Sequence, residues 1–202
     1  MSPFEDERAL PQVYLARHGE TEWTLDGRHT GRTDLPLTAR GEEQARRLGE
    51  RLRGADFALV LMSPLRRARR TCELAGYGGT ARVADELVEW DYGGYEGRRT
   101  AEIRRECGDW NLFLHGCPGG ETLAAVCARA ERVLDLLRGG GGDALLFSHR
   151  DFMRVLAARW LGLDAAQGRL FYLGTAALGI LGYDHDASEP ALRLWNDDRH
   201  LS

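Results

Sequence analysis

Three short apolar runs constrain this fold more than any other feature: Val13-Tyr14-Leu15-Ala16, Phe57-Ala58-Leu59-Val60-Leu61-Met62 and Ala144-Leu145-Leu146-Phe147. Each is continuous rather than alternating, as in strands buried on both faces, and each stops at polar or turn residues. Helical spacing fills the gaps. Ala39 to Arg53 places Ala45, Leu48 and Leu52 on one face, with Thr38 as N-cap and Gly54 past the end. Ser63-Pro64 predicts a second helix, capped by Ser63 and running to about Ala75. Thr100 to Glu106 reads as a short helix. Glu121 to Arg138 reads as a long one, with an inner stripe of Leu123, Val126, Ala130, Val133, Leu134 and Leu137, and Asp151 to Leu161 as another. Strand and helix signals that alternate in this way predict an α/β fold, with a largely parallel sheet covered by helices.

The remaining segments are weaker. A short strand is expected near Arg82-Val83-Ala84, and late strands over Ala176 to Tyr183 and Ala191 to Trp195, with an edge hairpin between them left open. Gly19 to Pro36 and residues 85–99 read as loops. Gly139 to Gly142 is a turn, too short for a domain linker. No internal repeat or boundary divides the chain, so residues 1–202 are expected to form one domain, with residues 1–11 as a flexible leader.

Composition excludes several functions. Apolar residues make up 43% and charged residues 29%, as in soluble globular proteins, and no apolar stretch is long enough for a membrane helix. The net charge of −4 argues against nucleic acid as a partner. Met1 to Arg8 is acidic and polar, unlike a signal peptide, so a cytoplasmic location is expected. Cys72, Cys107, Cys117 and Cys127 are well separated, so free thiols are expected. The histidines at 18, 29, 115, 149, 185 and 200 lack metal-ligand spacing, so no metal and no cofactor is expected.

Chemistry is concentrated at four places. Arg17-His18-Gly19 ends the first strand, where open α/β sheets bind ligands. An imidazole there can attack phosphorus while a guanidinium holds phosphate oxygens. Taken alone, a histidine at a strand end is more often a hydrogen-bonded loop residue. Ser63 to Thr71 again follows a strand and opens an arginine-rich helix. In Leu87 to Gly97, acids lie among aromatic residues and glycines, surroundings that raise a carboxyl pKa and make a proton donor near neutral pH. Ser148-His149-Arg150-Asp151 puts a second histidine at the end of a third strand.

Together these segments resemble the histidine phosphatase superfamily, in its phosphoglycerate-mutase-like branch. The likeness extends over Arg17 to Trp23, Gly31 to Asp34, Pro36-Leu37-Thr38, Gly41 with Gln44-Ala45, Ser63 with Arg67-Ala68 and Thr71, Glu89 with Gly93 and Glu96-Gly97, Gly120-Glu121-Thr122, and Ser148-His149. The resemblance implies a three-layer sandwich around a mostly parallel sheet. It implies His18 as the phosphorylated nucleophile, Arg17 and Arg67 as phosphate ligands, His149 as the second pocket histidine and Glu89 as the general acid. Arg67 is preferred to Arg66 because it precedes Ala68. The chain departs from the pattern at Thr24, where asparagine is common, and at Arg150, where glycine is usual. Whether Arg150 stands beside the pocket or turns outward is open.

The variants at Gly27 to Gly31, Glu89 to Gly93 and His115 to Pro118 look most like small acid phosphatases and sugar-bisphosphatases of this superfamily. Further substrate contacts are expected from Thr24, Arg28, His29, Thr30, Trp90, Tyr92, His115 and Arg150. Arg28, His29 and His115 either meet a second phosphate or stand as exposed loop residues. Trp90, Tyr92 and Tyr95 either line the pocket or pack inward. The expected partner is a small phosphorylated substrate, with neither nucleic acid nor membrane, acting on a monomer or homodimer. Water as acceptor makes the protein a phosphatase acting through phosphohistidine. The short stretch between Glu89 and His149 implies an open site and favours this over a bisphosphoglycerate-dependent mutase. A non-catalytic phosphate-binding scaffold is the third reading.

Overall fold

The computed structural model describes residues 10–202, so residues 1–9 of the expected leader lie outside the described part. Strands β1 (Val13–Arg17), β2 (Leu59–Met62), β3 (Arg82–Val83), β4 (Ala144–Ser148), β5 (Leu178–Tyr183) and β6 (Pro190–Asp197) form one sheet, in the order β3-β2-β4-β1-β5-β6. The pairs β1–β4, β2–β4 and β2–β3 are parallel. The pairs β1–β5 and β5–β6 are antiparallel, so the late hairpin closes one side of a mixed sheet. β5 is therefore a covered internal strand, and β6 forms the edge.

The helices are α1 (Glu22–Leu25), α2 (Ala39–Arg51), α3 (Arg66–Leu74), α4 (Thr100–Cys107), α5 (Leu112–His115), α6 (Leu123–Arg138) and α7 (Arg150–Trp160). Successive strand residues point to opposite faces of the sheet. Leu15, Leu61, Leu146 and Leu181 meet the apolar sides of α6 and α7. Ala16, Met62, Leu145 and Phe147 meet Leu48 of α2, Leu52 at its C-cap and Cys72 of α3. The result is three layers, with the continuous apolar runs filling both interfaces. Among the described residues no helix is long and apolar enough to cross a membrane.

Three local readings change. Ser63 does not cap α3, whose N-cap is Leu65. Its hydroxyl accepts from the Leu65 amide at 3.3 Å and meets His149, so the strand end claims it before the helix starts. The loop read over Gly19 to Pro36 contains α1, held by reciprocal bonds between Thr21 and Thr24 that leave no apolar periodicity to detect. α6 starts at Leu123 with Thr122 as cap, because the Glu121 side chain turns to Arg129 at 2.7 and 2.8 Å.

Candidate active site

Strand register brings the site together. Arg17 of β1 pairs with Ser148 of β4, and Met62 of β2 with Phe147. The His18 amide bonds the Ser148 carbonyl at 3.1 Å, and the Ser63 amide bonds the Phe147 carbonyl at 2.9 Å. His18, Ser63 and His149, each one step past its strand, thus share the carboxyl edge of the sheet. The His18 and His149 ring centroids lie 5.2 Å apart.

The turn after His18 is tight. A methyl group on Gly19 would collide with the Gly41 carbonyl, and one on Gly41 would collide with the Glu20 carbonyl. Both glycines let this turn lie flush on the first turn of α2. The Gly19 amide bonds the Thr71 hydroxyl at 3.0 Å, the Glu20 amide bonds Gln44 Oε1 at 2.9 Å, and the Thr38 hydroxyl donates to Glu20 Oε1 at 2.8 Å.

His18 Nδ1 lies 2.8 Å from the Gly19 carbonyl. A carbonyl only accepts, so Nδ1 carries the proton and Nε2 keeps its lone pair. Burial, followed by the charges of Arg67 and Arg17, holds the His18 pKa well below the usual imidazole value. The ring is therefore neutral and nucleophilic at neutral pH. Arg17 donates through Nη1 to the Leu173 carbonyl at 2.7 Å, and Arg67 donates to the carbonyls of Thr33, Thr30 and Gly31 at 2.9, 3.2 and 2.9 Å. Arg17 Nε, Arg67 Nε and His149 Nδ1 are buried without a hydrogen-bond partner among the described residues. Buried donors normally find acceptors, so these nitrogens are left free to meet one. Arg66 is exposed, whereas Arg67 is fully buried.

Burial and the Arg67 charge also hold His149 well below its usual pKa. That direction favours the neutral ring.

Glu89 is 3% exposed. Its Oε1 accepts from the Trp90 and Phe152 amides, each at 2.9 Å, and its Oε2 from the Asp151 amide at 3.1 Å. Burial and the neighbouring Asp151 charge raise its pKa above the carboxylate norm despite these donors. Its loop is pinned by Arg129, which donates to the carbonyls of Glu86 and Val88 at 2.5 and 3.0 Å.

A cleft of about 250 Å³ opens over this edge, lined by Arg17, His18 and Glu89 together with Thr24, Arg28, His29, Thr30, Tyr92 and Arg150. Arg150 thus stands beside the pocket. Arg67 and His149 are buried and do not form its open surface.

Two expected contacts are not brought there. Trp90 is fully buried, with its indole donating to the Glu121 carbonyl at 2.7 Å and its ring against Phe113, so it belongs to the core. His115 is exposed and its Nδ1 accepts from the Asn111 amide at 2.9 Å, which ties it to its own helix end. Tyr95 packs on Trp110 with ring centroids 5.4 Å apart.

Sequence reasoning missed the cleft residues Thr100, Tyr172 and Thr175, the first from the start of α4 and the others from the loop before β5, where no chemical motif marks them. It also missed Asp151, although its place beside Arg150 was a usable signal. The described cysteines are free, and Cys107 is exposed. Among the described residues, the grouping with metal-ligand types is Asp184, His185 and Glu189, exposed at the β5–β6 turn and away from the cleft.

Comparison with known proteins shows the family. The family described as Histidine phosphatase superfamily (branch 1) matches residues 13–198. An acid phosphatase of Mycobacterium tuberculosis is 41% identical over 185 residues, covering 90% of this chain and 91% of that protein. A probable phosphoglycerate mutase of Salmonella choleraesuis is 34% identical over 203 residues, covering 94% of each. The solved structure of the Mycobacterium tuberculosis open reading frame Rv3214 superposes with a TM-score of 0.87 at 40% identity, over 92% of this chain and 97% of that one.

Proposed function

The chain belongs to branch 1 of the histidine phosphatase superfamily, and from that premise we propose that it hydrolyses small phosphomonoesters through a phosphohistidine at His18. The observation that carries this reading is the bare Nε2 of a neutral His18, set among buried guanidinium groups and opening onto the Glu89 cleft.

In the first step, His18 Nε2 donates its lone pair to phosphorus and the ester P–O bond breaks. Glu89, whose pKa burial and the Asp151 charge raise, delivers a proton to the departing oxygen. Arg17 and Arg67 hold the equatorial oxygens through donors unused among the described residues. The Leu65 amide donates to the Ser63 hydroxyl, which donates in turn to His149 Nε2, so that His149 Nδ1–H also faces phosphate. In the second step, water gives a proton to Glu89 and attacks phosphorus. The P–N bond breaks and its electron pair returns to His18.

The guanidinium groups supply the positive charge, so turnover proceeds without metal. Free thiols fit the reducing cytoplasm, and the protein acts as a monomer or homodimer. The cleft is open to water, which favours hydrolysis over phosphoryl return to a second substrate. The test measures phosphate release from an aryl phosphate and from sugar phosphates in chelator-treated protein. Steady release without a bisphosphate primer supports hydrolysis. Turnover that requires a primer and releases little phosphate replaces it with the mutase reading.

A further inference from the structure

The cleft has a side chamber. A cavity of about 150 Å³ adjoins it and shares His29, Thr100 and Arg150 as a common wall. Arg104, Arg154 and Asp151 line it further, so three guanidinium groups face one carboxylate.

That carboxylate is already spent. Asp151 is fully buried, accepts from the Tyr92 hydroxyl, and pairs with Arg150 at 3.2 Å and Arg154 at 2.5 Å. Arg154 is spent as well, since its other nitrogens donate to the carbonyls of Gly168 and Arg169 at 2.9 and 2.7 Å. Arg150 and Arg104 are not. Arg150 commits Nε and Nη2 to Asp151, while its Nη1 makes no hydrogen bond among the described residues. Arg104 commits Nε to the Trp110 carbonyl at 2.9 Å, and its terminal nitrogens make none there. His29, 7% exposed, meets the Thr100 hydroxyl through Nε2 at 3.1 Å and leaves Nδ1 buried without a partner among the described residues. Asp151 thus holds the Arg150 guanidinium rigid with donors to spare, and a pre-positioned planar donor loses little freedom on binding an anion.

We propose that the side chamber binds a second anionic group of the substrate, a carboxylate or a second phosphoryl, and that Arg150 is the residue that selects for it. The proposal rests on the hydrolytic reading, because it takes the first phosphoryl group to sit at His18.

The test uses two matched pairs of compounds. Glycerol 3-phosphate and 3-phosphoglycerate differ by a carboxylate, and fructose 6-phosphate and fructose 1,6-bisphosphate differ by a phosphoryl group. Calorimetric titration into the His18→Ala protein measures binding without turnover, and the wild type is assayed for phosphate release in parallel. The expected result is about tenfold tighter binding of the doubly anionic member of at least one pair, as for a charge-assisted hydrogen bond. Adding Arg150→Gln brings the ratio close to one. The pair that responds identifies carboxylate or phosphoryl as the group recognised. Arg104→Gln, at an exposed position, lowers the same ratio and decides the matter should Arg150→Gln fail to fold. Ratios near one in both pairs, a ratio that survives Arg150→Gln in a folded protein, or one that survives Arg104→Gln where the first variant does not fold, overturn the proposal. Selective binding with no phosphate release from any compound leaves the chamber standing and removes the hydrolytic reading instead.

Discussion

Glu89→Gln separates proton donation from every other role of the cleft. Glu89 Oε1 accepts two amides at 2.9 Å, which a glutamine carbonyl oxygen can keep. The glutamine NH₂ would then face the Asp151 amide, now 3.1 Å from Oε2, and two donors would oppose each other. Leaving one buried donor unsatisfied costs about 1–3 kcal/mol. That is a fraction of an ordinary folding stability of about 5–15 kcal/mol, so the variant stays folded with a lowered melting temperature. Loss of a general acid slows turnover about 100- to 10,000-fold, but only where the leaving oxygen needs a proton. An alkyl phosphate should therefore lose that full factor, and an aryl phosphate, whose leaving group departs as an anion, less than about tenfold. Wild-type phosphorylation should also fall as pH rises through the raised Glu89 pKa, and the variant should lack that limb. Single-turnover rates for the two esters across pH measure this. Equal losses for alkyl and aryl esters, or a pH limb that persists in the variant, would refute Glu89 as the proton donor.

Other perturbations have comparably definite outcomes. His18→Ala should abolish turnover together with the acid-labile phosphoryl adduct that rapid-quench mass spectrometry detects at that residue; turnover without the adduct would remove the covalent mechanism. Gly19→Ala forces the nucleophile turn away from the Gly41 carbonyl, so kcat should fall far more than the melting temperature, as parallel kinetics and calorimetry would show. Asp151→Asn leaves Arg150 and Arg154 without their buried counter-charge and should cost about 3–5 kcal/mol in a urea melt. Asp197 is held well below the usual carboxylate pKa by its hydrogen bond from Arg199 and by Arg51, against its burial. Its stabilisation is therefore present above the unfolded value and lost as pH falls through the folded one. Melting temperatures of wild type and Asp197→Asn should differ at neutral pH and converge in acid.

Local pattern determined a good deal of this protein by itself. The runs at 13–16, 57–62 and 144–147 are apolar on every residue, so each needs cover on both faces, and that alone calls for a sheet between helices. The polar residues that stop those runs marked the sheet edge where His18 and His149 stand. Tertiary structure decided what patterns along the chain do not encode. The 5.2 Å between the two rings comes from the β1–β4 register, a pairing of segments more than a hundred residues apart. Trp90 and Tyr92 lie two positions apart in one aromatic loop, yet the first packs into the core and the second lines the cleft, because loop backbone has no fixed period to assign faces. The lowered pKa of His149 and the pairing of Asp151 with Arg150 and Arg154 likewise depend on burial and on distant charges. Those are sums over three-dimensional neighbours, and a linear sequence does not show them.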